Sequence, residues 1–106
     1  MQLYRYQRRD GTVPFSDWLN GIRDKAVQAR IRLRLQRLAA GNPGDIKAVG
    51  AGVSELRLHF GPGYRIYLAQ RGSSWILLLC GGSKSSQHKD IQLAKDYLQD
   101  WKERQK

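Results

Sequence analysis

Arg57, His59, Arg65, Tyr67 and Lys84 crowd the second half of the chain. Together they are the side-chain types that handle a phosphodiester: guanidinium forks for non-bridging oxygens, and groups that can carry a proton. Their spacing places most of them on one surface. From Glu55 to Phe60 the residues alternate, with Leu56, Leu58 and Phe60 against Glu55, Arg57 and His59. After Gly61-Pro62-Gly63 the alternation resumes, with Tyr64, Ile66 and Leu68 against Arg65 and Tyr67. Successive strand residues point to opposite faces, so this is the pattern of a half-buried hairpin. A three-residue turn at 61–63 pairs Phe60 with Tyr64, His59 with Arg65, Leu58 with Ile66 and Arg57 with Tyr67. One face is then apolar, and the other gathers His59, Arg65, Arg57 and Tyr67 into a candidate anion site.

The elements that must position this hairpin follow from the rest of the chain. Residues 2–8 read as a short strand ended by Asp10-Gly11. Pro14 opens a first helix carrying Phe15, Trp18, Leu19 and Ile22, which Asn20-Gly21 breaks. A second helix is expected from Asp24 to Ala40, with Val27, Ile31, Leu35 and Leu38 as its apolar stripe. Arg23, Arg30, Arg34 and Arg37 form an adjoining basic stripe, and Gly41-Asn42-Pro43-Gly44 stops the helix. Residues 45–53 read as irregular with a short extended piece. Strands follow at about 54–60, 64–70 and 74–81; the last is apolar on both faces and belongs inside the sheet. Gly81 to Ser86 is a loop, and a last helix over 87–102 shows the stripe Ile91, Ala94, Tyr97, Leu98 and Trp101. The order β-α-α-β-β-β-α predicts an α+β fold: a small antiparallel-rich sheet, two helices on one face and a C-terminal helix. The first strand is expected beside the last.

With 106 residues the chain has room for one domain. Its 19 Lys and Arg against 9 Asp and Glu give a net charge of +10, which favours polyanionic partners and makes such binding salt-sensitive. The single cysteine, Cys80, excludes an internal disulfide and lies in an apolar run as a core filler. No Cys/His spacing suggests a metal, and no cofactor is expected. No apolar leader or segment of roughly 20 apolar residues is present, so a cytoplasmic location without membrane contact is the expectation. Gly81-Gly82-Ser83-Lys84-Ser85 lacks the spacing of a phosphate-binding nucleotide loop, which argues against nucleotide hydrolysis.

The pattern L-R-x-x-x-G-x-G-Y-R-I-Y, followed by a strand ending C-G-G-S-K-S-S-Q-x-K-D-I-x-x-A, resembles the RelE/ParE superfamily of toxin–antitoxin toxins. It is most similar to the HigB-like, phage-derived addiction module killer branch. The resemblance extends to the PFSDWL helix and the basic second helix, and is densest from Leu56 to Ala94. It implies a RelE-like fold and a type II toxin that stops translation as a metal-free endoribonuclease, cleaving mRNA on the ribosome. It also implies a small, adjacently encoded antitoxin with a helix-turn-helix DNA-binding domain. The ParE arm of the superfamily inhibits DNA gyrase instead, and a third alternative is a basic nucleic-acid-binding protein without catalysis.

Metal-free RNA cleavage needs a base for the 2′-hydroxyl proton, cations around the phosphorane and an acid for the leaving oxygen. Arg57 and Arg65 match arginine positions on the family's catalytic face; the bland alternative is a solvated sheet face paired to Glu55 or Asp45. Lys84 matches the family's loop lysine, as phosphate holder or base. His59 is preferred over His88 as a proton shuttle, and Tyr67 stacks on a base, donates a proton, or is simply a half-buried sheet tyrosine. Gln87 and Lys89 open the last helix, where free N–H groups favour phosphate, and Asp90 serves that helix terminus. Arg30, Arg34 and Arg37 are a solvated face, a contact for ribosomal RNA, or a dock for an acidic antitoxin segment. The identity of the general acid and base stays open.

Overall fold

A computed structural model describes residues 1–106. The chain runs through strand β1 (Gln2–Arg5), helices α1 (Pro14–Gly21) and α2 (Lys25–Ala39), and strands β2 (Ile46–Gly50), β3 (Val53–Leu58), β4 (Tyr64–Arg71) and β5 (Trp75–Gly82). A 3₁₀ turn at Lys84–Ser86 leads into α3 (Gln87–Arg104). The strands form one five-stranded sheet in the order β1-β5-β4-β3-β2. β1 is parallel to β5 and the other pairs are antiparallel, so the fold is α+β with a mixed sheet. As expected, β1 lies beside β5. β5 is flanked on both sides, as its two apolar faces require, and β4 is the middle strand.

Local chemistry explains the helix bounds. Pro14 starts α1, where its missing N–H is harmless. Asp24 caps α2 by accepting the Ala26 amide at 2.9 Å. At the other end the Gly41 and Asn42 amides return to the Leu38 and Arg37 carbonyls, with Gly41 at φ 87°. This is a Schellman closure that favours glycine at that position.

The sheet separates two cores. On one face Phe15 and Leu19 of α1 and Ile31, Leu35 and Leu38 of α2 pack on Leu56, Leu58, Ile66, Leu68, Ile76 and Leu78. On the other, Ala94 and Leu98 of α3 pack on Tyr6, Val53, Tyr67, Ala69, Leu77, Leu79 and Cys80. Each fully buried leucine or isoleucine here stabilises by roughly 1.5–3 kcal/mol. The β4–β5 register shifts between Tyr67↔Cys80 and Leu68↔Leu78, leaving Leu79 as an extra residue. This bulge puts both Leu79 and Cys80 into the α3-side core and brings Gly82 under α3.

Three expectations are corrected. The short extended piece expected within 45–53 is a full strand of the sheet, β2, and the rest is not irregular; a tight turn at Ala51 and Gly52, both at positive φ, returns it to β3. It escapes the sequence pattern because it is a short edge strand with only Ile46 and Val49 partly covered. The first strand ends at Arg5, not near residue 8, because Arg8 turns back to bond Thr12. The hairpin register is Leu58↔Tyr64, Arg57↔Arg65, Leu56↔Ile66 and Glu55↔Tyr67. The connection therefore takes in His59 and Phe60 as well as the three residues assigned to the turn. The slip is by two, so the faces are preserved, but the partners change.

A Cβ on Gly82 would lie 1.8 Å from Oδ2 of Asp90 and 2.9 Å from Oγ of Ser86. Gly82→Ala is therefore expected to destabilise the fold by about 1–3 kcal/mol through forced displacement of α3. Chemical denaturation checks this; an unchanged midpoint would mean that α3 is not seated as described.

Candidate anion-binding site

The true register places Arg57 directly opposite Arg65. Two like charges side by side on neighbouring strands repel, and the sequence supplies the remedy two pairs further along, on the same face. Glu55 is fully buried and sits between them and the start of α3. Its Oε1 accepts from Arg57 Nε at 2.9 Å. Its Oε2 accepts from the Tyr67 hydroxyl at 3.0 Å and from Gln87 Nε2 at 2.9 Å. Arg65 Nε lies 3.5 Å from the same Oε2, an ion pair without a hydrogen bond. Burial alone would raise the Glu55 pKa. The hydrogen bonds from Arg57, Gln87 and Tyr67 and the charge of Arg65 outweigh it and hold the carboxyl below its ordinary value.

Glu55 thus draws one donor from each of β3, β4 and α3. Arg57 is held at Nε, while its side chain stays 32% exposed. Arg65 is 11% exposed, and Nη1 donates to the Gly63 carbonyl at 3.2 Å. The Lys84 amide meets the neighbouring Pro62 carbonyl at 3.4 Å, so the Gly61–Gly63 loop sets Lys84 near Arg65. Lys84 itself is exposed. Arg57, Arg65 and Lys84 therefore border one region; the terminal nitrogens of Arg57 have no protein partner, whereas Arg65 is largely covered and its Nε is buried.

The other expected members behave differently. His59 leaves the sheet at the end of β3, pairs with Asp45 at 2.5 Å and is 72% exposed. It does not face Arg65, because the connection absorbs it. It borders instead an open cleft of about 310 Å³ with Arg30, Leu33, Arg34, Arg37 and Phe60, on the α2 side of the sheet. There Arg30 stacks over Phe60 at 3.8 Å, and Arg34 donates to the Pro43 carbonyl at 2.8 Å. Tyr67 is fully buried rather than half-buried. Burial pushes its phenol up, and the hydrogen bond to Glu55 adds to this. Gln87 is turned inward to Glu55, whereas Lys89 and His88 are exposed on the first turn of α3. Asp90 is buried and accepts from Ser86 Oγ at 2.5 Å, which pins the start of α3. Burial raises the Cys80 thiol to about 12, in keeping with a core filler.

The residue that sequence reasoning undervalued is Glu55. Its signal was present: an acid two positions before Arg57, on the same strand face, with Arg65 and Tyr67 expected alongside. Alternation alone does not tell a solvated face from one roofed by a helix.

Because the folded pKa of Glu55 lies below its unfolded value, its stabilisation is complete above about pH 4.3 and is lost as pH falls through the folded value. Glu55→Gln should be less stable near neutrality by about 3 kcal/mol, since Arg65 keeps a buried charge without its counterion. It should also show a flatter loss of stability in acid. Denaturation midpoints from pH 7 to pH 2 check this; parallel curves for the two proteins would remove Glu55 from its central role.

No protein-family model matches the chain. It is 46% identical over 84 residues to an uncharacterized protein of Haemophilus influenzae, a match covering 79% of this chain and 85% of that protein. At that identity and coverage the chain belongs to the same family as the Haemophilus influenzae protein.

Proposed function

We propose that the protein is the toxin of a type II toxin–antitoxin module, RelE-like in fold, that inhibits translation by metal-free cleavage of mRNA on the ribosome. The observation that carries this reading is the pair Arg57 and Arg65, set opposite each other and organised by one buried carboxylate. Guanidinium groups anchored through one edge keep donors for phosphate oxygens and need little reorganisation when charge develops. Lys84, set beside them by the 61–63 loop, adds a third cation. Arg30, Arg34 and Arg37 lie on the opposite side of the sheet, where they suit the backbone of ribosomal RNA.

In this reading the protein's own contribution is charge stabilisation of the phosphorane. Tyr67 acts by positioning, because its hydroxyl is occupied by Glu55. His59, turned towards the α2 side, takes no part in proton transfer at Arg65. A site strong in cations and poor in free acid–base groups gains most from a substrate positioned by the ribosome. The same observation favours a second reading, a basic nucleic-acid-binding protein without catalysis. A ParE-like gyrase inhibitor has no need of a phosphate-gripping cluster.

A reconstituted translation reaction, with the message mapped by primer extension, separates these. Wild type should cut translated message within codons. Arg65→Ala should lose about 10²-fold or more in rate, and Arg57→Lys, which keeps charge but not the fork, should lose less. Melting curves of each variant establish that it is folded. Intact message with normal translation would overturn the nuclease reading; inhibition of supercoiling by gyrase would then favour the ParE-like activity.

A further inference from the structure

The sheet ends in two edge strands, β1 and β2, and β1 is the one that borders an aromatic groove. β1 pairs only with β5. The Gln2 and Tyr6 amides point inward, to the Ser74 and Leu78 carbonyls, both at 2.9 Å. Backbone groups alternate along a strand, so the N–H and C=O of Leu3 and Arg5 point out along the open edge. Exposed strand edges are templates for another strand.

The surface beside this edge is built for side chains as well. α3 packs over β5, β4 and β3. A groove of about 500 Å³ remains where Tyr4, Trp75 and Leu77 meet Trp101 and Arg104 near the end of α3. Tyr4 is 53% exposed and stands edge-on to Trp75, which in turn meets Trp101 edge-on. These aromatics form an apolar floor open to solvent.

The charged side chains that line the groove are Arg5 and Arg104, and Arg71 lies close by. Arg5 lies over Phe15 and donates to Ser16; Arg71 lies over Trp101. Neither forms an ion pair with a carboxylate, and Arg104 is the third cation, paired with Asp100. A second copy of this chain would bring another +10 to the contact. Like-charge contact disfavours that occupant, and an acidic one is favoured.

We propose that the β1 edge and the Tyr4–Trp75–Trp101 groove bind an extended acidic segment of a partner protein, which joins the sheet as a sixth strand. Main-chain hydrogen bonds to Leu3 and Arg5 supply affinity. Alternate side chains supply selectivity: apolar ones enter the groove on the α3 side, and acidic ones meet Arg5 on the other. The recognised pattern is therefore an alternation of apolar and acidic residues. This surface is separate from the Arg57–Arg65 site, and the inference does not depend on the function proposed for that site.

The probe is a synthetic peptide of alternating leucine and glutamate, titrated into the isotopically labelled full chain and followed by amide exchange and indole resonances. Slowed exchange at Leu3 and Arg5 with shifts at Trp75 and Trp101 is the expected result. Arg5→Glu and Arg71→Glu should each weaken binding about tenfold, and a leucine–lysine peptide should not bind. A leucine–glutamate peptide with its hydrogen-bonding edge N-methylated should also fail, which separates strand addition from general attraction to a basic protein. Three outcomes overturn the proposal. The peptide could map to Arg30, Arg34 and Arg37 or to Arg57 and Arg65; the N-methylated peptide could bind equally well; or sedimentation of the free chain could show a dimer closed through β1.

Discussion

One buried carboxylate governs the arrangement of this protein. Removing an ionised glutamate from water costs several kcal/mol, and only good hydrogen bonds and opposite charge offset that. Glu55 has both: donors from Arg57, Tyr67 and Gln87, and the charge of Arg65. Those partners come from β3, β4 and the first turn of α3. The cost of burial therefore couples the seating of α3 to the register of the β3–β4 hairpin. A slip in either would leave a charge buried without its partners, a far larger penalty than a lost apolar contact. The same geometry keeps two adjacent arginines from driving their strands apart.

Five of the other eight acidic residues are engaged in a way that leaves the α2 cations without a counterion. Asp24 caps α2, Asp45 holds His59, Asp90 holds Ser86, Asp100 holds Tyr6, Arg9 and Arg104, and Asp10 closes its own turn. These carboxylates are engaged in structural roles near their own backbone segment or at the α3 terminus. Arg30, Arg34 and Arg37 meet no carboxylate within ion-pair range. The α2 surface therefore keeps its positive charge unneutralised, although Arg30 stacks on Phe60 and Arg34 bonds the Pro43 carbonyl.

Much of this was legible from residue order. The apolar stripe of α2, the alternation of β3 and β4 and the doubly apolar β5 all reflect periodicities that burial imposes directly. The face assignment survived a wrong hairpin register because strand geometry repeats every two residues and the slip was even. His59 did not survive it, since loop length depends on φ and ψ at Gly61 and Gly63 rather than on hydrophobicity. β2 was legible only in part for a related reason: its edge position buries too little to leave a pattern. Glu55 was the costliest misreading: its pairing with the arginines was expected, but on a solvated face rather than a buried one. Its burial is a property of α3 lying over the sheet, and nothing in residues 55–67 records that lid.

The charge balance of the cluster constrains what it can hold. Arg57 and Arg65 carry two positive charges against the single negative charge of Glu55, so the buried part of the site is one charge short of neutral. A phosphodiester linkage carries one negative charge and presents two non-bridging oxygens, which matches both the deficit and the two forks. Lys84, exposed beside the Gly61–Gly63 loop, adds one more positive charge at the rim, so the site as a whole keeps a cation to spare once a singly charged group is bound. If Glu55 were neutral, the pair would instead carry two unmet charges and repel, and the forks would lose their common anchor. The carboxylate thus lowers the net positive charge of the pair while fixing how its two guanidinium groups are set.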